Sequence, residues 1–197
     1  MDSSYNKVSV LLVDDDNDFA SLFSRLISAD SRLVMVGAAP DKEIGVELAC
    51  LLYPDVVVMD LNLSGVALDG IEAAREIRVK TGSRILLLTA YEGHDTIVNA
   101  SEKAFASGYV FKSHFRMIAD IVYETATSKT PQKELIRELI LRELSPAERS
   151  IFNDILNGAI SGLAYQSAST IANQKTSIFK KLGLKNTKEL IKVFSNW

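Results

Sequence analysis

The sequence predicts an α/β fold, a five-stranded, doubly wound parallel sheet, followed by a small all-α region. In the front of the chain, short apolar segments rich in β-branched residues alternate with amphipathic helical patterns. Helix caps and helix stops mark the last part. The charge also changes sign, since Leu141–Trp197 carries 8 Lys and Arg against 4 Asp and Glu, while the rest carries 14 against 21. A basic tail on an acidic domain indicates nucleic-acid binding, with chance clustering of solvated charge as the alternative.

The predicted strands are apolar along their length, which indicates burial on both faces of a parallel sheet with helices on each side. They are Val8–Val13, Leu33–Ala38, Val56–Asp60, Arg84–Thr89 and Tyr109–Phe111. In such a sheet, a ligand site lies beyond the carboxyl ends of the strands. The residues at those ends are therefore the first candidates for function.

Polar side chains follow the strands at this edge. They are Asp14, Asp15 and Asp16 after the first strand, Asp60 ending the third, Thr89 ending the fourth and Lys112 after the fifth. Taken singly, they indicate a solvated turn with a helix cap, a β-forming threonine and a surface lysine. Together they predict a divalent-cation site, since Mg²⁺ prefers one or two carboxylates with waters and phosphate oxygens. A neighbouring lysine can hold the charge that develops when a carboxylate attacks a phosphoryl group.

After an α/β domain at 1–127, we expect a helical linker at 128–143 and a helical domain at 144–197. Pro131 suits the first turn of the linker helix. An apolar stripe on this helix suits docking on a neighbouring domain or a second copy: Leu135, Ile136, Leu139 and Ile140. In the last domain, caps at Ser145 and Asn186 and stops at Gly158 and Gly183 predict four short helices.

Several classes of protein are disfavoured. Apolar runs such as Val56–Met59 are too short for a membrane span or a signal peptide, so we expect a cytoplasmic protein with no membrane partner. The single cysteine, Cys50, excludes an internal disulfide and favours a buried structural thiol. His94 and His114 sit in no catalytic pattern, so we expect no enzyme and, in particular, no phosphohydrolase.

Four segments, VLLVDDD, VVVMDLNLSG, ILLLTA and SGYVFKS, resemble those of receiver domains, in order and in spacing. The resemblance implies a flavodoxin-like receiver in which Asp60 accepts a phosphoryl group from a sensor histidine kinase. It further implies that Mg²⁺ is held by Asp14, Asp15, Asp60 and the backbone carbonyl of Asn62. The phosphoryl-binding and switch residues would be Thr89, Tyr109 and Lys112.

The tail, LSPAERSIFNDILNG with STIANQKTSIFKKLGLKNTKEL, resembles the helix-turn-helix domain of LuxR/NarL-type regulators. A recognition helix places its first residues at base edges and its later cations along phosphates. The groove candidates are Ser169, Thr170, Ala172, Asn173, Gln174 and Lys175, and the phosphate candidates are Lys180, Lys181, Lys185 and Lys188. Asn173 and Gln174 suit bidentate recognition of adenine. The alternative for the lysines is a solvated helical face.

The chain departs from both patterns. The loop after Asp60 is two residues longer than is usual, because Asp69 and Gly70 come late. The segment between Gly158 and Thr170 is about four residues shorter than is usual, which leaves Ile160–Tyr165 as the only candidate for the first helix of the pair. The second departure bears directly on whether the tail binds DNA.

The resemblance therefore implies a two-component response regulator that acts as a DNA-binding transcription regulator. A homodimer is expected, with phosphorylation at Asp60 controlling dimerisation or release of the tail through the face of Tyr109 and a helix at His114–Thr125. The alternative is a regulator whose shortened tail binds a protein or RNA partner instead of DNA. The salt dependence of binding separates the two, because phosphate contacts make affinity fall steeply with salt.

Overall fold

The computed structural model describes residues 7–63, 69–90, 93–158 and 167–197. It contains a five-stranded sheet in the order β2-β1-β3-β4-β5, in which all neighbouring strands are parallel. The strands are β1 Val8–Val13, β2 Leu33–Ala39, β3 Val56–Asp60, β4 Arg84–Thr89 and β5 Gly108–Phe111. The five predicted strands and the parallel sheet are confirmed, with one further residue in β2 and in β5.

The helices of the described residues are α1 Asn17–Ala29, α2 Lys42–Leu52, α3 Asp69–Thr81, α4 His94–Lys103, α5 Ile118–Thr127, α6 Pro131–Leu141, α7 Pro146–Leu156, α8 Ala168–Leu182 and α9 Thr187–Phe194. The helix predicted over His114–Thr125 differs in its first part. A 3₁₀ helix, Lys112–Met117, precedes α5, with His114 outside helical geometry at φ −89° and ψ 34°. None of the helices in the described ranges is long and apolar enough to cross a membrane.

Two cores lie on opposite faces of the sheet. Leu11 and Val13 face α2, α3 and α4, where small residues such as Ala74 allow close packing. Val10 and Leu12 face the other side, where Phe23 is fully buried. This alternation along β1 follows from the two-residue period of a strand. The sheet is buried on both sides, as continuous apolar strands require.

A third core joins the helices after the sheet to the sheet domain. It consists of Phe105, Ile136, Ile140, Leu141, Leu144, Ile151, Phe152, Ile178, Leu182, Leu184, Leu190, Val193 and Phe194. Phe105 comes from the turn between α4 and β5, and its ring meets that of Phe194 edge to face with centroids 5.8 Å apart. The α8–α9 region is therefore packed against the sheet domain through a shared apolar cluster.

Local signals at the helix ends place the later helices. Thr130 caps α6 with Pro131 at its first position, and Ser145 caps α7 in a reciprocal capping box with Glu148. Gly183 ends α8 at φ 63°, a left-handed conformation that favours glycine. Of the four helices expected in the tail, α7, α8 and α9 lie in the described residues. The candidate first helix, Ile160–Tyr165, lies outside them.

Two other expectations differ in detail. Cys50 is partly exposed on α2 and not buried. In the predicted apolar stripe on α6, Ile136 and Ile140 are buried but Leu135 is exposed. The stripe faces the third core through one side of the helix only, because Leu135 lies to the side of the buried pair.

Candidate functional site

Three carboxylates meet at the carboxyl end of the sheet. Oxygen atoms of Asp14, Asp15 and Asp60 all lie within 4.8 Å of one another. The cause is topological, since β1 and β3 are adjacent and parallel, with Val13 paired to Met59, so the residues that follow each strand lie side by side. Asp14 and Asp60 are buried and Asp15 is exposed. The cluster is thus rooted in the sheet and open to solvent through Asp15.

Lys112 bridges the two buried carboxylates. Its Nζ lies 2.8 Å from Asp14 Oδ2 and 2.8 Å from Asp60 Oδ2, and 4.7 Å above the centre of the Phe19 ring. Burial lowers the pKa of Lys112, but its hydrogen bonds to Asp14 and Asp60 outweigh burial and leave that pKa above its usual value. The lysine is therefore a fixed positive charge beside Asp60.

Burial raises the pKa of Asp14, and the charge of Asp60 adds to this effect. The hydrogen bond from Lys112 and one from the backbone N–H of Asp16, at 3.0 Å, act in the opposite direction. The net direction is upward, because burial outweighs both hydrogen bonds. One lysine also faces three carboxylates, which leaves an excess of negative charge in the cluster. A further cation would relieve it.

The residues present fit a divalent metal ion. All three groups are carboxylates, and hard oxygen donors from one or two carboxylates are what Mg²⁺ prefers. The exposed Asp15 leaves a side of the cluster where water and phosphate oxygens can complete the coordination. Asn62, which was predicted to offer its carbonyl, donates its backbone N–H to Asp60 Oδ1 at 3.2 Å, which holds the two residues together.

The helix that follows Asp60 lies against it. Gly70 is the second residue of α3, and a Cβ atom there would lie 1.9 Å from the backbone oxygen of Asp60. Only glycine allows this approach. The predicted late Asp69-Gly70 pair therefore sits at the start of α3, and the lengthened loop at 64–68 lies outside the described residues.

The predicted switch residues lie on the two neighbouring strands. Thr89 is buried at the end of β4, directly after Leu88, which pairs with Asp60. Tyr109 is half-buried on β5, and its ring meets that of Phe111 edge to face, with centroids 5.9 Å apart. The structure thus brings Asp60 and Lys112 into contact, while Thr89 and Tyr109 lie one and two strands away.

The predicted recognition helix is α8, and its first half faces solvent. Ser167 caps it by accepting a hydrogen bond from the backbone N–H of Thr170 at 3.2 Å. The exposed candidates are Ser169, Thr170, Ala172, Asn173, Lys180, Lys185 and Lys188. Lys175 is half-buried, and Gln174 has its Oε1 buried without a hydrogen bond. Asn173 is accordingly the better placed of the two amides for contact with another molecule.

Lys181, a predicted phosphate contact, instead bonds to groups of the protein itself. Its Nζ lies 2.7 Å from Glu148 Oε2 and donates to the carbonyl of Glu143 at 3.0 Å. Glu148 also accepts a hydrogen bond from Ser177, at 2.6 Å. The bonds from Lys181 and Ser177 lower the pKa of Glu148 to about 2. This network joins α7 to α8, so Lys181 holds the helix pair together.

Sequence reasoning missed the residues that join the two parts of the chain. Arg75 and Arg78 on α3 donate to backbone carbonyls at the ends of α8 and α9. Their spacing of three residues places both on one helix face, which was the only hint in the sequence. Gln132 on α6, which accepts a hydrogen bond from Tyr109 of β5, was missed as well.

The comparisons with known proteins agree with this geometry. The family model of the response regulator receiver domain matches residues 10–122. The chain belongs to the response regulator receiver family. The matched range holds the whole carboxylate cluster, Lys112, Thr89 and Tyr109.

The similarity extends beyond the receiver. The nitrate/nitrite response regulator protein NarL of Escherichia coli (strain K12) is 26% identical over 95% of this chain and 94% of its own. A LuxR-family two-component response regulator from Aurantimonas sp. SI85-9A1 is 34% identical with TM-score 0.56, covering 70% of this chain and 98% of that one. The Salmonella typhimurium RcsB response regulator has the same fold, with TM-score 0.57 at 23% identity over 96% of this chain and 98% of its own.

These comparisons confirm the flavodoxin-like receiver followed by a helical C-terminal region. They also confirm the resemblance to NarL/LuxR-type regulators, which spans nearly the whole chain.

Proposed function

We propose that this protein is a two-component response regulator, phosphorylated on Asp60 by a sensor histidine kinase, that regulates transcription by binding DNA through α8. The placement of Lys112 Nζ at 2.8 Å from Asp60 Oδ2, beside a cluster of three carboxylates, carries the proposal. A buried carboxylate with a fixed cation and a metal-binding set at its side suits phosphoryl acceptance.

In the proposed reaction an oxygen of Asp60 forms a bond to phosphorus, the bond from phosphorus to the imidazole nitrogen of the donor breaks, and its electron pair stays on that nitrogen. Asp14, Asp15, Asp60 and the carbonyl of Asn62 would hold Mg²⁺, which offsets the charge of the phosphoryl oxygens when bound. Lys112 pairs with those oxygens once Asp60 is phosphorylated, because the carboxylate of Asp60 has then lost its negative charge. Thr89 and Tyr109 would respond to the new group.

We expect no enzymatic activity beyond slow self-dephosphorylation. Hydrolysis of the acyl phosphate needs a base that activates water. His114 is exposed in the 3₁₀ helix after β5, where its ring meets that of Phe111 at 5.7 Å. Rapid multiple turnover on a phosphoester would contradict this part of the proposal.

On the DNA side, the exposed start of α8 suits entry into the major groove, with Asn173 reading a base and Lys180, Lys185 and Lys188 near phosphates. Two copies on DNA would place two such helices one helical turn apart, so we propose a homodimer. The shortened stretch before α8 favours a second candidate, a protein or RNA partner for the same surface.

The test combines association with DNA retention. Size-exclusion chromatography with light scattering compares the wild type and Asp60→Ala, each with and without Mg²⁺ and beryllofluoride, which mimics aspartyl phosphate. We expect a shift to dimer in the wild type alone. An unchanged mass in the wild type would contradict phosphorylation-driven dimerisation.

DNA retention is then measured on random and selected duplexes over a range of salt concentrations. The proposal expects affinity to fall steeply with salt, with Asn173→Ala relaxing sequence preference and Lys180→Ala weakening binding to all sequences alike. Sequence-independent, salt-insensitive retention would favour the protein or RNA partner instead.

A further inference from the structure

The ends of four helices meet at two arginines of α3. Arg75 donates from one terminal nitrogen to the carbonyls of Leu182 and Gly183, at 2.8 and 2.9 Å, where α8 ends. Its other terminal nitrogen donates to the carbonyl of Lys103 at 2.8 Å, where α4 ends. One guanidinium thus joins the last turn of the proposed recognition helix to the receiver.

Arg78, one turn further along α3, is fully buried. It donates to the carbonyls of Gly82 and Ser83, at 3.1 and 3.0 Å, just after α3 ends, and to the carbonyl of Val193 in the last turn of α9. Lys192 of α9 donates in return to the carbonyl of Lys80 in the last turn of α3. Reciprocal hydrogen bonds therefore join the carboxyl ends of α3 and α9.

This arrangement accounts for how a buried cation is tolerated. Carbonyls at the end of a helix lack intrahelical partners and carry a partial negative charge. Burial and the nearby charge of Arg84 lower the pKa of Arg78 to about 9, which still leaves it protonated at neutral pH. Within the described residues, the terminal nitrogens of Arg78 bond to carbonyls at or just beyond helix ends, which take the place of a carboxylate, while its Nε is buried without a hydrogen bond.

Apolar contacts surround the two arginines. Arg75 lies 4.3 Å above the ring centre of Phe105, a receiver residue that is 1% exposed and packs on Phe194 of α9. Trp197 stacks on Phe194 and donates from Nε1 to the carbonyl of Lys133 at 3.0 Å. Separation of α8 and α9 from the receiver would expose this cluster and remove the contact of Phe105 with Phe194.

The first half of α8 points away from this contact. Asn173 and Thr170 are exposed, while Leu182, at the far end of the helix, is buried against the receiver. A partner can therefore reach the proposed reading surface while the carboxyl end of α8 stays in place. The contact does not cover the surface that the proposed function uses.

We propose that Arg75 and Arg78 keep α8 and α9 docked on the receiver in both signalling states, so that the protein binds its partner without releasing its tail. The proposal rests on the proposed function for the phosphorylated state and the partner. Phosphorylation then regulates the protein while α8 and α9 stay on the receiver, and it does not free the tail. Since α3 begins against the backbone of Asp60 at Gly70, the same helix spans from the phosphoacceptor to the tail.

Trp197 is the only tryptophan in the sequence and lies in the contact, so its fluorescence reports docking. Acrylamide quenching is measured on the full chain, free, with Mg²⁺ and beryllofluoride, and with duplex DNA added. We expect no rise in the quenching constant in any of these states. In Arg75→Met/Arg78→Met we expect a rise of roughly twofold or more, as local opening exposes the ring.

Arg25→Met is the matched control, because Arg25 is exposed on α1. Arg75→Lys is the milder variant, which keeps the charge but cannot reach three carbonyls, and it should give an intermediate rise. Circular dichroism checks that each variant is folded. Hydrogen exchange of peptides spanning 69–83 and 187–197 should show protection in the wild type in both states.

A wild type that becomes as quenchable as the double variant when beryllofluoride binds would overturn the proposal, as would a double variant no more quenchable than the wild type. Whether beryllofluoride binds is judged by comparing the wild type with Asp60→Ala, which lacks the phosphoacceptor carboxylate. If it does not bind, the proposed function fails separately, and the comparison between the unmodified wild type and the arginine variants still decides whether these residues hold the tail.

Discussion

The backbone N–H of Tyr109 donates a hydrogen bond to Gln132 Oε1 at 3.0 Å, which ties the last strand of the sheet to the helix that follows the receiver. β5 is an edge strand, and an uncovered edge offers its N–H groups to other chains. A Cβ atom on Gly108 would lie 2.7 Å from the same Oε1, so the amide of Gln132 sits directly on the strand. The linker helix therefore completes the receiver at this edge.

Gln132→Ala should destabilise the protein and expose the edge. The Tyr109 N–H would lose its acceptor in a partly buried place, which costs about 1–3 kcal/mol. For a chain of this size that corresponds to a fall of roughly 2–12 °C in Tm. Thermal unfolding measures the loss of stability, and amide hydrogen exchange at Tyr109 measures the exposure of the strand edge.

Gln132→Glu is the control for this prediction, because a carboxylate oxygen can still accept the bond. It should keep the slow exchange of Tyr109. An Ala variant whose Tm and Tyr109 exchange match the wild type would show that the bond contributes nothing.

Lys133 should make the protein more stable at alkaline pH. Burial, together with the nearby charges of Arg84 and Arg78, lowers its pKa to about 8, although the charge of Glu134 acts in the opposite direction. In the unfolded chain a lysine titrates near about 10.4. Between these values the unfolded state binds more protons than the folded state, so the free energy of unfolding rises with pH.

Urea unfolding from pH 7 to pH 9.5 measures this rise. Lys133→Met should be more stable than the wild type at pH 7 and should show a flatter profile, since it lacks the buried charge. Lys180→Met, at an exposed lysine on α8, should keep the wild-type slope. Equal slopes in the wild type and Lys133→Met would contradict the prediction.

The Glu148–Lys181 pair should stabilise the α7–α8 unit above about pH 4.5 and lose that effect as the pH falls toward 2. The hydrogen bonds from Lys181 and Ser177 set the direction, because they lower the pKa of Glu148 to about 2. The unfolded chain then takes up the proton first as the pH falls, and stability declines with it. Glu148→Gln should cost about 1–3 kcal/mol at neutral pH.

The measurement is urea unfolding from pH 7 down to pH 3, with Glu138→Gln as the control. Glu138 pairs with Arg149 at 2.7 Å, but its side chain is 56% exposed, so its loss should change stability little. If both variants behave alike, burial of Glu148 is not what gives the pair its effect.

The sheet and the receiver pocket could be predicted from local sequence, because each strand is an apolar run that ends in its own polar residue and parallel topology brings those ends together. The contact that docks α8 and α9 on the receiver could not be predicted in this way. Arg78 and Val193 are 115 positions apart, and Arg75 and Arg78 look like a charged helix face until α9 is placed. Helical pattern alone also could not tell Lys181, which faces Glu148, from Lys180, which faces solvent.

Mg²⁺ should stabilise the protein through the carboxylate cluster. A ligand at about 100 times its Kd adds about 2.7 kcal/mol to the free energy of unfolding. For a chain of this length that raises Tm by roughly 5–10 °C. Thermal unfolding over a series of MgCl₂ concentrations, with NaCl added to constant ionic strength, separates binding from screening.

Asp15→Asn is the variant for this series, because Asp15 is the exposed member of the cluster and its change disturbs the fold least. It should shift the Mg²⁺ midpoint by at least roughly tenfold, the loss that even outer partners of a metal site can cause. Asp18→Asn, at an exposed carboxylate in the first turn of α1, should leave the midpoint unchanged. A rise in Tm that NaCl alone reproduces, or one that Asp15→Asn retains in full, would place the effect of Mg²⁺ outside this cluster.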